Sequence, residues 1–200
     1  MKTFTTSTML VILRNSNIFK DYKYGRKVLN LALRIKEAAE IHGDFTLRSG
    51  KKSNLYFDKY RFESDPLLLA DVAKAMSPLV PAKTQVLCGL EMGGIPVVTM
   101  LSHFSQLPAA FIRKAPKEYG TCKFAEGADL AAKRIVLVED VVSSGGAIID
   151  AANMLRASGI DVDTAICVID RQTGGAENLR KAGISLISVL QASDIEAASN

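Results

Sequence analysis

The chain has 200 residues, of which 48% are hydrophobic and only six are proline, and this composition indicates one folded domain with a substantial core. Its three cysteines, Cys88, Cys122 and Cys167, are odd in number and widely spaced. This pattern argues against a disulfide framework or a zinc site and predicts a reducing, cytoplasmic environment. The two histidines lie far apart, which argues against a histidine-based metal centre.

The formal net charge of +4 is unevenly distributed. Residues 1–36 contain eight Lys or Arg and one Asp, whereas the rest of the chain carries a charge of −3. Residues 1–20 are rich in Ser and Thr and lack acids. This pattern is compatible with nucleic-acid contact or organelle targeting, but we expect a leader of uncertain order. The apolar run 9–13 is too short to cross a bilayer, so we expect no membrane segment.

The first predicted elements precede a regular pattern. Residues 24–42 interleave apolar and basic side chains at helical spacing and predict an amphipathic helix that ends at Gly43. Short strands at 45–47 and 55–57 around a polar turn predict a hairpin. Ser64-Asp-Pro66 predicts the start of a helix to about Leu79, because proline suits the first helical position. We expect a single domain over 21–200, with a small N-terminal hood at about 21–63.

From residue 85 onward the chain alternates apolar strands, glycine turns and helices. The predicted strands are 85–89, 109–112, 135–138, 164–169 and 184–190, and the predicted helices run from 93–96 to about 105, from 143–146 to 159, and over 176–182. Because the strands are continuously apolar, they are expected to be buried on both faces, which is typical of a parallel sheet. The predicted fold is α/β, with a mainly parallel sheet flanked by helices.

Residues 113–133 form the exception, since they show no clear periodicity between two apolar strands. A connection of this length inside a compact domain is usually functional or mobile. It begins Arg113-Lys-Ala-Pro-Lys-Glu-Tyr-Gly-Thr-Cys-Lys123, with four cations against one acid. This segment is therefore a candidate for binding a polyanion.

The stretch Val138-Glu-Asp-Val-Val-Ser-Ser-Gly-Gly146 places two carboxylates just before a turn suited to an anion. At the start of a helix, free N–H groups, serine hydroxyls and the helix dipole favour a phosphate, and glycines let the backbone approach it. Glu139 and Asp140 would repel an isolated phosphate. They fit a ligand that also presents hydroxyl groups or brings a magnesium ion, as a ribose 5-phosphate does.

This stretch resembles the phosphoribosyl pyrophosphate (PRPP) signature of the type I phosphoribosyltransferases. Residues 45–58, 89–96 and 111–120 make the chain similar, more narrowly, to the orotate phosphoribosyltransferases, and the resemblance covers about 25–192. It implies the type I phosphoribosyltransferase fold with a hood of helix and hairpin. It also implies transfer of ribose 5-phosphate from PRPP to orotate in pyrimidine (UMP) biosynthesis, with Mg²⁺ and with a homodimer whose 113–123 loop reaches the neighbouring subunit.

The resemblance assigns roles to individual residues. Lys114, Lys117 and Asp140 are expected to be catalytic, and residues 89–94 are expected to form a pyrophosphate turn. The residues expected to bind PRPP are Arg113, Lys114, Lys117, Glu139, Asp140, Val141, Val142, Ser143, Ser144, Gly145, Gly146 and Ala147. Those expected to bind orotate are Arg48, Tyr56, Phe57, Ser143 and Arg171.

Two positions depart from the pattern of some family members. Tyr119 stands where some carry histidine, and Met92 or Gly93 stands where some carry lysine, so we assign neither a loop proton donor nor a cation in the pyrophosphate turn. No protein metal ligand is predicted. Two alternatives stay open: a phosphoribosyltransferase for another base, such as a purine, and a non-catalytic PRPP sensor. Nucleic-acid binding is not expected, because no recognisable reading head is present.

Overall fold

The structure is a computed structural model, and it describes residues 22–46, 50–115 and 124–198, with side chains from residue 30 onward. The predictions for Arg48, Lys117, Tyr119 and the leader 1–20 therefore lie outside the described residues. Among the helices that are described, none is long and apolar enough to cross a membrane.

The hood consists of helix α1 (Tyr22–Ala39), the antiparallel strands β1 (Glu40–Thr46) and β2 (Lys52–Phe57), and the short helix α2 (Lys59–Glu63). The predicted end of the first helix at Gly43 is wrong, because Glu40 already pairs with Phe57 in the hairpin. Cross-strand pairing therefore places in a strand residues whose apolar spacing would also suit a helix. Helix α2 is a feature that the sequence pattern did not predict.

Helix α3 (Pro66–Met76) follows the hood and continues into a 3-10 turn at Ser77–Leu79. The predicted helix start is confirmed. The Asp65 side chain accepts hydrogen bonds from the backbone N–H groups of Leu67 and Leu68, at 2.9 and 3.0 Å, and Pro66 occupies the first turn. Five apolar residues of α3 are buried against the main sheet and its neighbours.

Six strands form the main sheet, in the spatial order β5, β4, β3, β6, β7, β8. Their bounds are β3 (Val86–Leu90), β4 (Ala109–Ile112), β5 (Ala125–Gly127), β6 (Ile135–Val142), β7 (Thr164–Asp170) and β8 (Ser185–Gln191). All neighbours are parallel except β5, which pairs antiparallel with β4 at the sheet edge. The prediction of a mainly parallel α/β sheet is confirmed, although the three-residue strand β5 was not predicted.

Helices cover both faces of this sheet. They are α4 (Gly94–Ser105), α5 (Gly146–Ala157), α6 (Gly175–Lys181) and α7 (Ala192–Ala197), together with α1 and α3. One core cluster contains Phe62, Met76 and Leu101, and a second cluster, which includes Leu137, Leu155 and Leu179, lies around α5 and α6. Burial on both faces explains why the strands are continuously apolar.

The strand order reverses beside β3. From β3 the chain moves outward to β4 and β5, and it then returns to place β6 on the other side of β3. In open parallel sheets, ligands bind at this switch point, beyond the carboxyl ends of the strands. The turns that follow β3 and β6 therefore border the expected crevice.

Candidate active site

Two glycine-rich turns pack closely at the switch point. The pyrophosphate turn follows β3, and an ideal Cβ placed on its Gly93 would overlap Asp140 Oδ2 of β6. A Cβ on Gly94 would lie only 2.5 Å from the Val138 carbonyl oxygen. Any side chain at these two positions would therefore push the turn away from β6. The absence of Cβ atoms brings the pyrophosphate turn against the carboxylate strand.

The phosphate turn, residues 143–147, has the geometry of an anion site. Ser143 and Ser144 are exposed, and Gly145 adopts a left-handed conformation with φ of 80° just before the first turn of the 12-residue helix α5. Helix α6 supports this turn from behind, because Asn178 Nδ2 donates a 3.0 Å hydrogen bond to the Ser144 carbonyl oxygen. The turn therefore presents hydroxyl groups and a helix N-terminus to the crevice.

Glu139 and Asp140 lie inside β6, which extends four residues beyond the predicted end at Val138. Glu139 pairs with Cys167 of β7, and Asp140 is fully buried. The two carboxylates therefore belong to the strand rather than to the turn after it. Of the other residues predicted on this strand, Val142 is buried and Val141 is partly buried.

The hood contributes two side chains to the carboxylates. Lys59 Nζ of α2 lies 2.6 Å from Asp140 Oδ2. Glu63, one helical turn further along, is only 6% exposed, and its Oε1 would lie 3.1 Å from an ideal Cβ on Gly93, beside Asp140 Oδ2. Helix α2, the pyrophosphate turn and β6 thus meet at one cluster of three carboxyl groups and one ammonium group, which we call the carboxyl cluster: Lys59, Glu63, Glu139 and Asp140.

Burial and mutual repulsion divide the protons of this cluster unequally. Burial, together with the hydrogen bond and negative charge of Asp140, raises the pKa of Glu63 to about 9. Burial likewise raises the pKa of Glu139 well above its usual range. Burial also acts to raise the pKa of Asp140. Hydrogen bonds from Glu63, Glu139 and Lys59 outweigh burial, so the pKa of Asp140 is lowered. Near neutral pH Glu63 therefore carries a proton, and the pKa shifts of the cluster favour Asp140 as its ionised member.

This protonation also resolves the hydrogen bonding of Glu63. No described N–H or hydroxyl group donates to either Glu63 oxygen, and the same holds for Glu139 Oε2. Two ionised carboxylates would face one another as acceptors only, whereas a protonated Glu63 can donate to Asp140. Lys59 retains its charge, because the hydrogen bond and charge of Asp140 outweigh burial and raise its pKa.

The predicted base-binding residues are only partly brought together. The Arg171 guanidinium, just after β7, lies 5.9 Å from the centre of the Phe57 ring, which connects the hood to the main sheet. Tyr56 is 44% exposed and packs against Phe45, with ring centres 5.4 Å apart. Because successive strand residues face opposite sides, Phe57 faces Arg171 and Tyr56 does not.

The described start of the basic loop is anchored to the pyrophosphate turn. The backbone N–H of Lys114 donates a 2.6 Å hydrogen bond to Glu91 Oε1, and Glu91 N–H donates to the Ile112 carbonyl oxygen at 2.9 Å. The Lys114 residue is exposed, whereas Arg113 is partly buried and its Nε has no hydrogen-bond partner among the described residues. Both predicted cations at 113 and 114 thus stand at the edge of the crevice.

Three residues of this site were missed in the sequence: Lys59, Glu63 and Glu91. In the sequence, Lys59 and Glu63 have the spacing of an ordinary surface ion pair on a helix. Only the packing of α2 against β6 shows that Lys59 contacts Asp140 and that Glu63 is buried. Glu91 lies in a stretch that was expected to bind pyrophosphate, and an acidic side chain does not indicate binding of an anion. In the described ranges, no group of three or more His, Cys, Asp or Glu could hold a metal ion.

Comparison with known proteins gives a consistent assignment. Residues 61–193 match the family model of the phosphoribosyl transferase domain. The chain is 48% identical to an orotate phosphoribosyltransferase of Nocardioides sp. over 168 residues, which are 84% of this chain and 94% of the relative. It is 40% identical to an orotate phosphoribosyltransferase of Methanocella arvoryzae over 153 residues, which are 76% and 87% of the two chains.

Solved structures agree with this result. Orotate phosphoribosyltransferase of Mycobacterium tuberculosis in complex with PRPP superposes with a TM-score of 0.73 at 26% identity, and the match covers 85% of this chain and 99% of the other. An adenine phosphoribosyltransferase of Thermoanaerobacter pseudethanolicus, at 20% identity and a TM-score of 0.61, shares the fold, with coverage of 80% and 99%. The chain therefore belongs to the phosphoribosyl transferase family and, within it, to the orotate phosphoribosyltransferases.

Proposed function

We propose that the chain transfers ribose 5-phosphate from PRPP to N1 of orotate, giving orotidine 5′-monophosphate and pyrophosphate in the biosynthesis of UMP. The observation that carries this proposal is the placement of the Asp140 carboxylate between the phosphate turn and the pyrophosphate turn. A ligand with a terminal phosphate, a diol and a diphosphate fits these three features in order.

In the proposed complex, the 5-phosphate accepts hydrogen bonds from backbone N–H groups and hydroxyls of residues 143–147. Glu139 and Asp140 bind the ribose hydroxyls, and the ionised Asp140 also stabilises the electron-poor sugar of the transition state. Positive charge develops on the ribose and negative charge on the departing diphosphate. We assign the cations near the diphosphate to Arg113, Lys114 and Lys117. They stabilise the transition state because they lie where the negative charge increases.

The base is proposed to bind between the hood and the end of β7. The planar guanidinium of Arg171 can form two parallel hydrogen bonds with a carboxylate or imide, and it already packs near the Phe57 ring. Arg48, outside the described residues, is proposed to contact the orotate carboxylate, and Ser143 to contact the base from the phosphate turn. Tyr56, on the other face of β2, is the least supported member of the predicted base-binding set.

Magnesium is proposed to enter with the substrate. The carboxylate that is ionised, Asp140, is already paired with Lys59, and the described residues form no cluster suited to a resident metal. Mg²⁺ commonly binds substrate phosphates and retains several waters rather than occupying an all-protein cage. We therefore propose Mg²⁺-bearing PRPP as the substrate, with the metal held chiefly by the diphosphate.

Assembly and location complete the proposal. The resemblance to the family supports a homodimer in which the 113–123 loop reaches the neighbouring active site, and a mass measurement in solution tests this expectation. A reducing cytoplasm is supported by Cys88 and Cys167, two buried cysteines that are not joined in a disulfide. Burial raises the pKa of Cys88 to about 12, so this thiol is not poised for reaction.

A turnover assay tests the activity directly. The purified chain is mixed with PRPP, Mg²⁺ and orotate, and the loss of orotate absorbance is followed. We expect turnover with orotate and none with adenine or hypoxanthine. Turnover with a purine base alone would replace orotate as the substrate, and PRPP binding without turnover of any base would instead support a sensor.

A further inference from the structure

We propose that Lys59 is a substrate-binding residue: its ammonium group, which contacts Asp140 in this structure, binds the diphosphate of PRPP when the ribose hydroxyls engage Asp140. The inference rests on the function proposed above, because it needs a sugar diol at Asp140 and a diphosphate at the pyrophosphate turn. It supplies a cation for a turn that carries none of its own.

Lys59 lies against the buried carboxylate of Asp140. Asp140 is fully buried, whereas the Lys59 side chain in contact with it remains 32% exposed. A partly exposed lysine thus contacts a carboxylate that has no exposure of its own. A sugar hydroxyl that binds Asp140 Oδ2 would compete with the ammonium for the same oxygen.

The Lys59 ammonium group also lies close to the pyrophosphate turn. Asp140 Oδ2, which contacts Lys59 Nζ at 2.6 Å, is also the atom that an ideal Cβ on Gly93 would overlap. Lys59 and the pyrophosphate turn therefore meet at the same oxygen. An ammonium displaced from that oxygen remains beside the turn, and the flexible lysine stem allows a short shift.

The pyrophosphate turn, residues 89–94, contains no Lys or Arg. Met92 is uncharged and 61% exposed, and Gly93 has no room for any side chain. Glu91 adds a negative charge, although its carboxylate accepts a hydrogen bond from Lys114 N–H. A diphosphate bound here needs a nearby cation, and Lys59 is the described cation that already contacts the strand beneath this turn.

Asp140 can release Lys59 without becoming a buried, unpaired charge. Its Oδ1 accepts a hydrogen bond from the Val141 N–H at 2.5 Å. Glu63 and Glu139 also donate to Asp140 when protonated. Ribose hydroxyls would add further donors, so an exchange of partners costs less than the removal of one member of an isolated buried pair.

Calorimetric titration of two probes separates this role from a structural one. Ribose 5-phosphate is titrated alone, and Mg²⁺-pyrophosphate is titrated into protein saturated with ribose 5-phosphate; the full chain is used as wild type, Lys59→Met, Lys59→Arg and the control Lys74→Met. Lys74 is an exposed lysine of α3 paired with Asp71. We expect Lys59→Met to weaken pyrophosphate binding by about tenfold or more, in line with loss of a hydrogen bond to a charged group. Ribose 5-phosphate affinity should stay equal or increase, Lys59→Arg should recover pyrophosphate affinity, and Lys74→Met should match wild type.

Unchanged pyrophosphate affinity in Lys59→Met would overturn the inference. So would a loss of ribose 5-phosphate affinity alone, which would make Lys59 a positioning residue for Asp140. Asp140→Asn separates this failure from a failure of the proposed function: if it leaves ribose 5-phosphate binding unchanged, the sugar site is misplaced and both proposals fall. Thermal melting checks that each variant is folded, and Lys59→Gln replaces Lys59→Met if the latter does not fold.

Discussion

Replacing Glu63 with glutamine should change how stability depends on pH. Glu63 is 6% exposed, and its pKa is raised from 4.5 to about 9. Since its folded pKa exceeds its unfolded value, the folded protein retains a proton that the unfolded chain has released over this pH range. The contribution of this proton to the free energy of unfolding is therefore fully present below about pH 4.5, and it is lost as the pH rises toward 9.

The size of the effect follows from the shift. For a group that titrates alone, such a shift corresponds to roughly 6 kcal/mol, at about 1.36 kcal/mol per pKa unit. Because Glu63 shares its proton with Asp140 and Glu139, we expect about 2 to 3 kcal/mol of this difference between about pH 5 and pH 9. Glutamine keeps the shape and can still donate to Asp140, but it does not titrate.

Urea unfolding of wild type and Glu63→Gln at unit pH intervals measures this difference. The wild-type unfolding free energy should decline more steeply with pH, so that the variant gains relative stability toward pH 9. Glu177→Gln is the matched control. Arg180 lowers the pKa of the exposed Glu177, so that residue is ionised throughout this range and its variant should run parallel to wild type. Parallel curves for wild type and Glu63→Gln would show that Glu63 is ionised in the folded protein and would refute the proton assignment.

Three further substitutions test the site. Gly93→Ala should destabilise the fold by about 1 to 3 kcal/mol and abolish most turnover, because a Cβ there overlaps a buried carboxylate; a variant with wild-type melting and kinetics would contradict this packing. Lys114→Ala should lower kcat by an amount equivalent to roughly 2 to 4 kcal/mol with little change in orotate binding, while the exposed Lys133→Ala, at the opposite end of the sheet, should leave kcat unchanged. Arg171→Lys should raise the KM for orotate about tenfold or more and leave that for PRPP unchanged, with Arg180→Lys as control; equal effects on both substrates would remove Arg171 from the base pocket.

Local sequence signals were sufficient for most of the sheet. Strand β4 was predicted at Ala109–Ile112 and has these bounds, and the predicted turn at 143–146 leads into a helix, which begins at Gly146. Both depend on signals within a few residues, namely an apolar run or a glycine turn. Strand β5 was missed because three residues at a sheet edge depend on pairing with β4 rather than on their own composition.

The site divides in a similar way. The phosphate turn, the pair Glu139 and Asp140 and the basic start of the loop could all be predicted from the sequence, because each is a short contiguous pattern whose chemistry can be interpreted without neighbours. The tertiary structure decided that Asp140 is buried, that Phe57 rather than Tyr56 faces Arg171, and that Lys59 and Glu63 join the carboxylates. Those features depend on α2 packing against β6 across some 80 residues of chain, and burial and proton sharing exist only once those separate segments are in contact.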